Sequence, residues 1–143
     1  MQTKLSRNDF QVFYAMQTRW GDNDIYGHVN NVEYYAYFDS AVNRYLIERG
    51  GLDIHNADIV GFVVESQCQY FSPIAYPETV DIGIRVSRLS TRSVTYQIGI
   101  FQQDSQGVCA QGHFVHVFVD RKRNHSAAIP EPIRQALSAI ECQ

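Results

Sequence analysis

The order in which hydrophobic patterns follow one another along the chain predicts an α+β fold, an antiparallel sheet of about five strands wrapped around one long central helix. One strand-like stretch precedes a single long amphipathic segment, and about four strand-like stretches then follow with no helix between them. A parallel α/β fold would instead alternate strands and helices. The helical segment also carries a broad aromatic face, which needs a sheet to cover it. At 143 residues, with 45% hydrophobic and 19% charged side chains, the chain has the size and balance of one globular domain, residues 1–143.

From Phe10 to Thr18, the residues Phe10, Val12, Tyr14 and Met16 alternate with Gln11, Ala15 and Gln17, as in a first strand. Residues 19–31 lose that period and gather Gly, Asp, Asn and His, the composition of a loop. Asn30 can cap a helix start, and Glu33 three residues later suggests a capping box. From Val32 to Arg49 one face collects Tyr34, Tyr35, Phe38, Ala41, Val42, Tyr45 and Leu46, and Gly50-Gly51 ends the helix.

Ile59 to Phe71 is β-branched and aromatic and stops at Ser72-Pro73. Strict alternation over Val80–Val86 and Val94–Ile100 predicts half-buried antiparallel strands, and Asp104-Ser-Gln-Gly107 turns the second of them into Val108–Val119, where the sheet should end. The core is expected over about residues 8–120. The tail allows a short helix within 130–141, starting near Pro132, with a thin apolar face.

The net charge of −3 argues against a nucleic-acid partner bound through overall basicity. Cys68, Cys109 and Cys142 are odd in number and widely spread, so no disulfide framework is expected. There is no apolar run of membrane-span length and no signal-like start, so the expected compartment is the cytoplasm. No G-x-S-x-G elbow, Walker loop or dinucleotide fingerprint occurs. His113 and His116, three apart in a strand, should point to opposite faces and form no chelating pair.

The segment Arg19-Trp-Gly-Asp-Asn-Asp-Ile-Tyr-Gly-His-Val-Asn-Asn31 places Asp22 and Asp24 just ahead of a helix N-terminus, where free N–H groups and the helix dipole favour negative charge. A carbonyl held there would be polarised as its oxygen gains charge. Asp24 could activate water as general base, or attack to form a mixed anhydride. From composition alone, the safer reading is that the same residues serve only as a surface turn and cap. His28, four residues after Asp24, lacks a third ligand beside it, so no metal is expected. In Arg85-Val-Ser-Arg-Leu-Ser-Thr-Arg-Ser93, the side chains of Arg85, Arg88 and Arg92 could grip phosphates or could simply keep a hairpin solvated.

The run Trp20-Gly-Asp-Asn-Asp-Ile-Tyr-Gly-His-Val-Asn-Asn-Val-Glu-Tyr-Tyr35 resembles the signature of the 4-hydroxybenzoyl-coenzyme A thioesterase-like family, and Tyr70-Phe-Ser-Pro-Ile74 resembles that family's exit from its second strand. The resemblance covers about residues 8–120 and implies the hot-dog fold. It also implies hydrolysis of an acyl-coenzyme A thioester with no metal or organic cofactor. By position, Asp24 would be the catalytic carboxylate, Asp22 a structural partner, and the Asn31 backbone N–H the carbonyl's donor. His28 and Asn30 match the pattern of fatty-acyl enzymes, and Arg85, Arg88 and Arg92 would meet the coenzyme A phosphates. The family further implies a homodimer, and a homotetramer as a dimer of dimers. Two relatives of this function remain as alternatives: a non-catalytic acyl-coenzyme A-binding hot-dog protein, and a thioesterase acting on acyl-carrier-protein. A hydratase on the same fold would space its Asp and His one residue further apart than Asp24 and His28.

Overall fold

The computed structural model describes residues 3–142. Strand β1 (Val12–Gln17) leads through the polar segment into helix α1 (Asn31–Glu48); β2 (Ile59–Tyr70), β3 (Thr79–Leu89), β4 (Ser93–Gln102) and β5 (Val108–Asp120) follow, then a two-residue strand β6 (His125–Ser126) and helix α2 (Glu131–Ser138). The five long strands pair antiparallel, in the order β1-β3-β4-β5-β2. β1 and β2 are therefore the edges.

Alternation fixes which side chains face the helix. Ile82, Ile84, Tyr96, Ile98, Phe114 and Phe118 point inward and close around Phe38, Ala41, Val42, Tyr45 and Leu46 of α1. Gly112 allows this approach: a Cβ there would stand 2.7 Å from the Phe38 ring and 2.0 Å from Gln67 O. Gly51, at φ +69°, turns the chain out of α1.

The sequence predicts a sheet ending at Val119, but β6 adds a short ladder, pairing Val119 with Ser126 and Asp120 with His125. The Asp120 carboxylate accepts from the N–H groups of Lys122 and Arg123, which closes the intervening turn. The tail also contributes more than its thin apolar pattern suggests. Ile129, Ile133, Ala136, Leu137 and Ile140 join the main core beyond residue 120, and the Tyr45 hydroxyl donates to Ala136 O at 2.6 Å. Those residues face a part of α1 far away in sequence, so local periodicity understates their burial.

On the outer face of the sheet, Phe10, Phe101 and Val108 form a second small cluster. Arg7 pins the N-terminal strap across it through Asp81 at 3.0 Å. His116 points into the core beside Tyr96, and His113 lies on the outer face against Glu65 at 2.6 Å, the opposed orientation that strand geometry predicts. Burial pushes the His116 imidazole down to about 4.

Candidate active site

Between β1 and α1 the chain folds back twice. Trp20–Asp22 is a short 3-10 turn, and Asn23 then bridges to Val29. Inside that bridge, Asp24 N–H donates to His28 O at 2.9 Å and Gly27 N–H to Asp24 O at 3.1 Å. Gly27 takes φ +86°, a left-handed conformation in which a side chain would be strained. The connection between β2 and β3 holds the turn from outside: Val29 N–H donates to Ile74 O at 2.7 Å and Tyr76 N–H to Asn23 Oδ1 at 3.1 Å.

Asp22 is 1% exposed. Its carboxylate accepts from Arg19 N–H at 2.9 Å, from the Tyr37 hydroxyl at 2.7 Å and from the Arg19 guanidinium at 2.9 Å. Burial by itself would push this carboxyl up, but the bonds from Arg19 and Tyr37 outweigh burial and hold it below the ordinary range. Burial, with the bond to Asp22, pushes the Tyr37 phenol up in turn. Asp22 O also accepts Asn30 N–H at 2.8 Å, so this acid fixes the start of α1.

Asp24 is half-buried. Its Oδ1 accepts Tyr26 N–H at 2.8 Å, and among the described residues no donor meets its Oδ2. The exposed His28 lies on the same turn. Asn30 caps α1, its Oδ1 accepting Val32 N–H at 3.3 Å and its carbonyl accepting Glu33 N–H at 2.9 Å. Glu33 does not close the suggested capping box, because its carboxylate turns to Arg19 at 3.5 Å. The N–H of Asn31, the first amide of α1, has no acceptor among the described residues.

Asp24, His28, Asn30 and Asn31 thus share one compact turn at the helix N-terminus. Exposed apolar side chains surround it: Ile25 is 94% exposed, Tyr26 82% and Trp20 79%. Trp20 packs edge-on against Tyr76, with centroids 5.9 Å apart. Tyr70 donates to Asn31 O at 3.3 Å and stacks edge-on with Tyr34 at 4.9 Å. Sequence reasoning missed Tyr37, Tyr70 and Tyr76. Tyr37 lies on the predicted helix and Tyr70 in the predicted strand, and no local spacing ties either to the acids.

The three arginines lie elsewhere. β3 begins beside the turn, where the Thr18 hydroxyl meets Glu78 O at 2.5 Å, and runs away from it, so Arg88 stands about 30 Å along the strand. Arg85 is taken up by Gln97 Oε1 at 2.7 Å and Asp9 O at 3.3 Å. Arg92 donates to Ser126 Oγ at 2.9 Å, and Arg88 is exposed. Within the chain they do not join the Asp24 turn.

A curled antiparallel sheet closed over one long helix, with a carboxylate-bearing turn at that helix's N-terminal end, defines a protein of the hot-dog fold. The chain belongs to the thioesterase-like superfamily, whose family model matches residues 18–137. It is similar to the PA5185 protein of Pseudomonas aeruginosa strain PAO1, with 50% identity, 99% of both chains covered and a TM-score of 0.96. It is also similar to BH1999, a gentisyl-coenzyme A thioesterase, with 26% identity, 88% of this chain and 99% of that one covered, and a TM-score of 0.78. The YsmA protein of Bacillus subtilis is 25% identical over 89 residues, which span 62% of this chain and 60% of that protein. No helix among the described residues is long and apolar enough to cross a membrane.

Proposed function

We propose that the protein is an acyl-coenzyme A thioesterase, which adds water to the thioester and releases a free carboxylic acid and coenzyme A. One observation carries this reading: the open Oδ2 of Asp24 lies on the same turn as the acceptor-free N–H of Asn31. A carbonyl oxygen accepting from that N–H would be stabilised as it gains charge, within reach of the helix dipole. The Asp24 carboxylate, as general base or nucleophile, supplies the attack on the carbonyl carbon; the carbon–sulfur bond breaks and the thiolate leaves with a proton. Asn30 positions the donor by capping α1, and in this reading His28, exposed on the same turn, meets the substrate.

A second copy of the chain completes the site in this reading. β2 is a long edge strand with Phe62, Val63 and Val64 exposed, a template for pairing. β1, the other edge, has six residues. Antiparallel pairing of two β2 edges brings the far end of one subunit beside the Asp24 turn of the other, so Arg88 and Arg92 of a partner subunit are the candidates for the coenzyme A phosphates. Arg85 is already engaged.

The test is free-thiol release from acyl-coenzyme A substrates with short, long and aromatic acyl groups. Wild type should turn over at least one class, and Asp24→Ala should fall at least ~100-fold while unfolding at the same temperature. Wild type that never exceeds the uncatalysed rate, or an Asp24→Ala variant that keeps its activity, overturns the reading.

A further inference from the structure

Arg85 takes no part in the Asp24 turn and instead lines a cavity of about 480 Å³ on the outer face of the sheet. Arg85, Gln97 and His113 are partners in register across β3, β4 and β5, so their side chains form one row with neighbours about 5 Å apart. Thr95, two residues from Gln97 on the same face of β4, stands beside that row. The N-terminal strap walls one side: Leu5 N–H donates to Gln111 Oε1 at 2.7 Å, and Gln111 Nε2 donates to Thr3 O at 3.0 Å. Gln111 is 2% exposed, a buried amide given over to holding that wall. We infer that this cavity is a binding site for a small hydroxylated organic acid bearing one carboxylate, separate from the Asp24 turn.

The donors decide the chemistry. The Arg85 guanidinium is already fixed, with Nε donating to Gln97 Oε1 at 2.7 Å, Nη1 donating to Asp9 O at 3.3 Å, and Cζ 5.7 Å from the Phe10 ring centroid. Its Nη2 has no acceptor among the described residues, and neither has Gln97 Nε2. The Thr95 hydroxyl is likewise without a partner there, since the Ser87 hydroxyl donates to the Thr95 backbone carbonyl. A carboxylate meeting Nη2 would gain a charge-assisted hydrogen bond from a side chain that loses little freedom on binding it. Gln97 Nε2 and Thr95 Oγ1 then answer hydroxyls next to the carboxylate.

Charge sets the valence. Glu65, the acid in the lining, is paired with His113 at 2.6 Å. Asp9 Oδ1 stands 4.0 Å from Arg85 Nη1, and Asp9 Oδ2 accepts Ser6 N–H at 2.8 Å. Two carboxylates so near would repel a second negative charge on the ligand, which favours a monocarboxylate over a phosphate dianion. A neutral sugar would leave the open Arg85 donor unanswered. The volume lies within the range of small-molecule sites.

The experiment titrates the full chain with lactate, gluconate and quinate, and with inorganic phosphate and neutral lactamide for comparison, following backbone amide shifts by NMR. At least one of the three acids should bind with a Kd below ~1 mM and move the amides of Gln97 and His113. Binding by none of them, or phosphate binding more tightly than the best acid, overturns the assignment. Arg85→Gln should weaken that acid at least about tenfold, since it removes a charge-assisted bond; an affinity that survives the change is equally fatal. Thr95→Val serves should the Arg85 variant not fold, and should weaken the acid about threefold where an unmoved Kd sinks the proposal. Asp24→Ala separates this site from the proposed active site: it should leave acid binding as in wild type, and a loss there would place the acid at the Asp24 turn and end the proposal. Because the readout is binding, the result stands whether or not the protein hydrolyses a thioester.

Discussion

Asp22 and Asp24 stand two residues apart at the start of one helix, yet they occupy opposite kinds of place. The Asp22 end of the turn is dry, with every nearby donor directed at one carboxylate: Arg19 from one side and Tyr37 from the helix. The Asp24 end is open, with one oxygen held by Tyr26 N–H and the other met by no donor among the described residues. An acid committed to three partners holds a structure together, whereas an acid with an open oxygen can meet a substrate. The difference teaches that two acids at one helix start can be an anchor and an open carboxylate, and that burial decides which is which.

The largest expected effect that separates the two ends is on stability. Asp22→Ala leaves the buried Tyr37 hydroxyl and the Arg19 N–H without their acceptor and should destabilise the fold by roughly 3 kcal/mol in urea unfolding. Asp24→Ala should unfold as wild type does. Equal losses from the two variants would erase the contrast.

A smaller effect comes from the same contrast between His116 and His113 on β5. Buried His116 takes up its proton only near pH 4, below the 6.5 of an exposed histidine. As pH falls through 6.5 the unfolded chain binds that proton first, so stability is complete above neutral pH and is lost toward pH 4. Between pH 7 and pH 5 the loss should be about 2 kcal/mol, and His116→Gln, which keeps a polar partner for Tyr96, should flatten that slope. The depressed carboxyl of Asp22 works in the same direction at lower pH, since its contribution is lost as pH falls below its unfolded value. The smallest effect belongs to Asn30→Ala, which removes the cap on Val32 N–H and should lower stability by about 1 kcal/mol, with a larger proportional fall in thiol release because the amide of Asn31 loses its fixed place.

Much of the architecture was legible because it is written in short periods. Alternation of two marks β3 and β4, the Asp104–Gly107 turn marks the start of β5, and a broad aromatic face marks α1; all survive in the folded protein within a few residues. β6 was not legible, since two residues carry no period and the Asp120 turn that creates the strand acts through backbone N–H groups. α2 was half legible: Pro130 and Pro132 mark its start, but the side chains it buries answer to Tyr45 and to β3. The turn bearing Asp24 could be found from its density of Asp, Asn and Gly, and from the family pattern it resembles. The placing of Arg85 could not, because its outward strand position next to Asp9 and Gln97 depends on a strap from the N-terminus.

By itself the sequence determined the order of elements, the buried faces of α1, β3 and β4 and the polar segment that carries the two acids, because helix caps, glycine turns and hydrophobic periods act over a few residues. Only the tertiary structure decided which acid is sealed and which is open, and that Tyr37, Tyr70 and Tyr76 surround them. Burial and hydrogen-bond satisfaction are properties of groups brought together from distant parts of the chain, and a one-dimensional pattern does not carry those meetings.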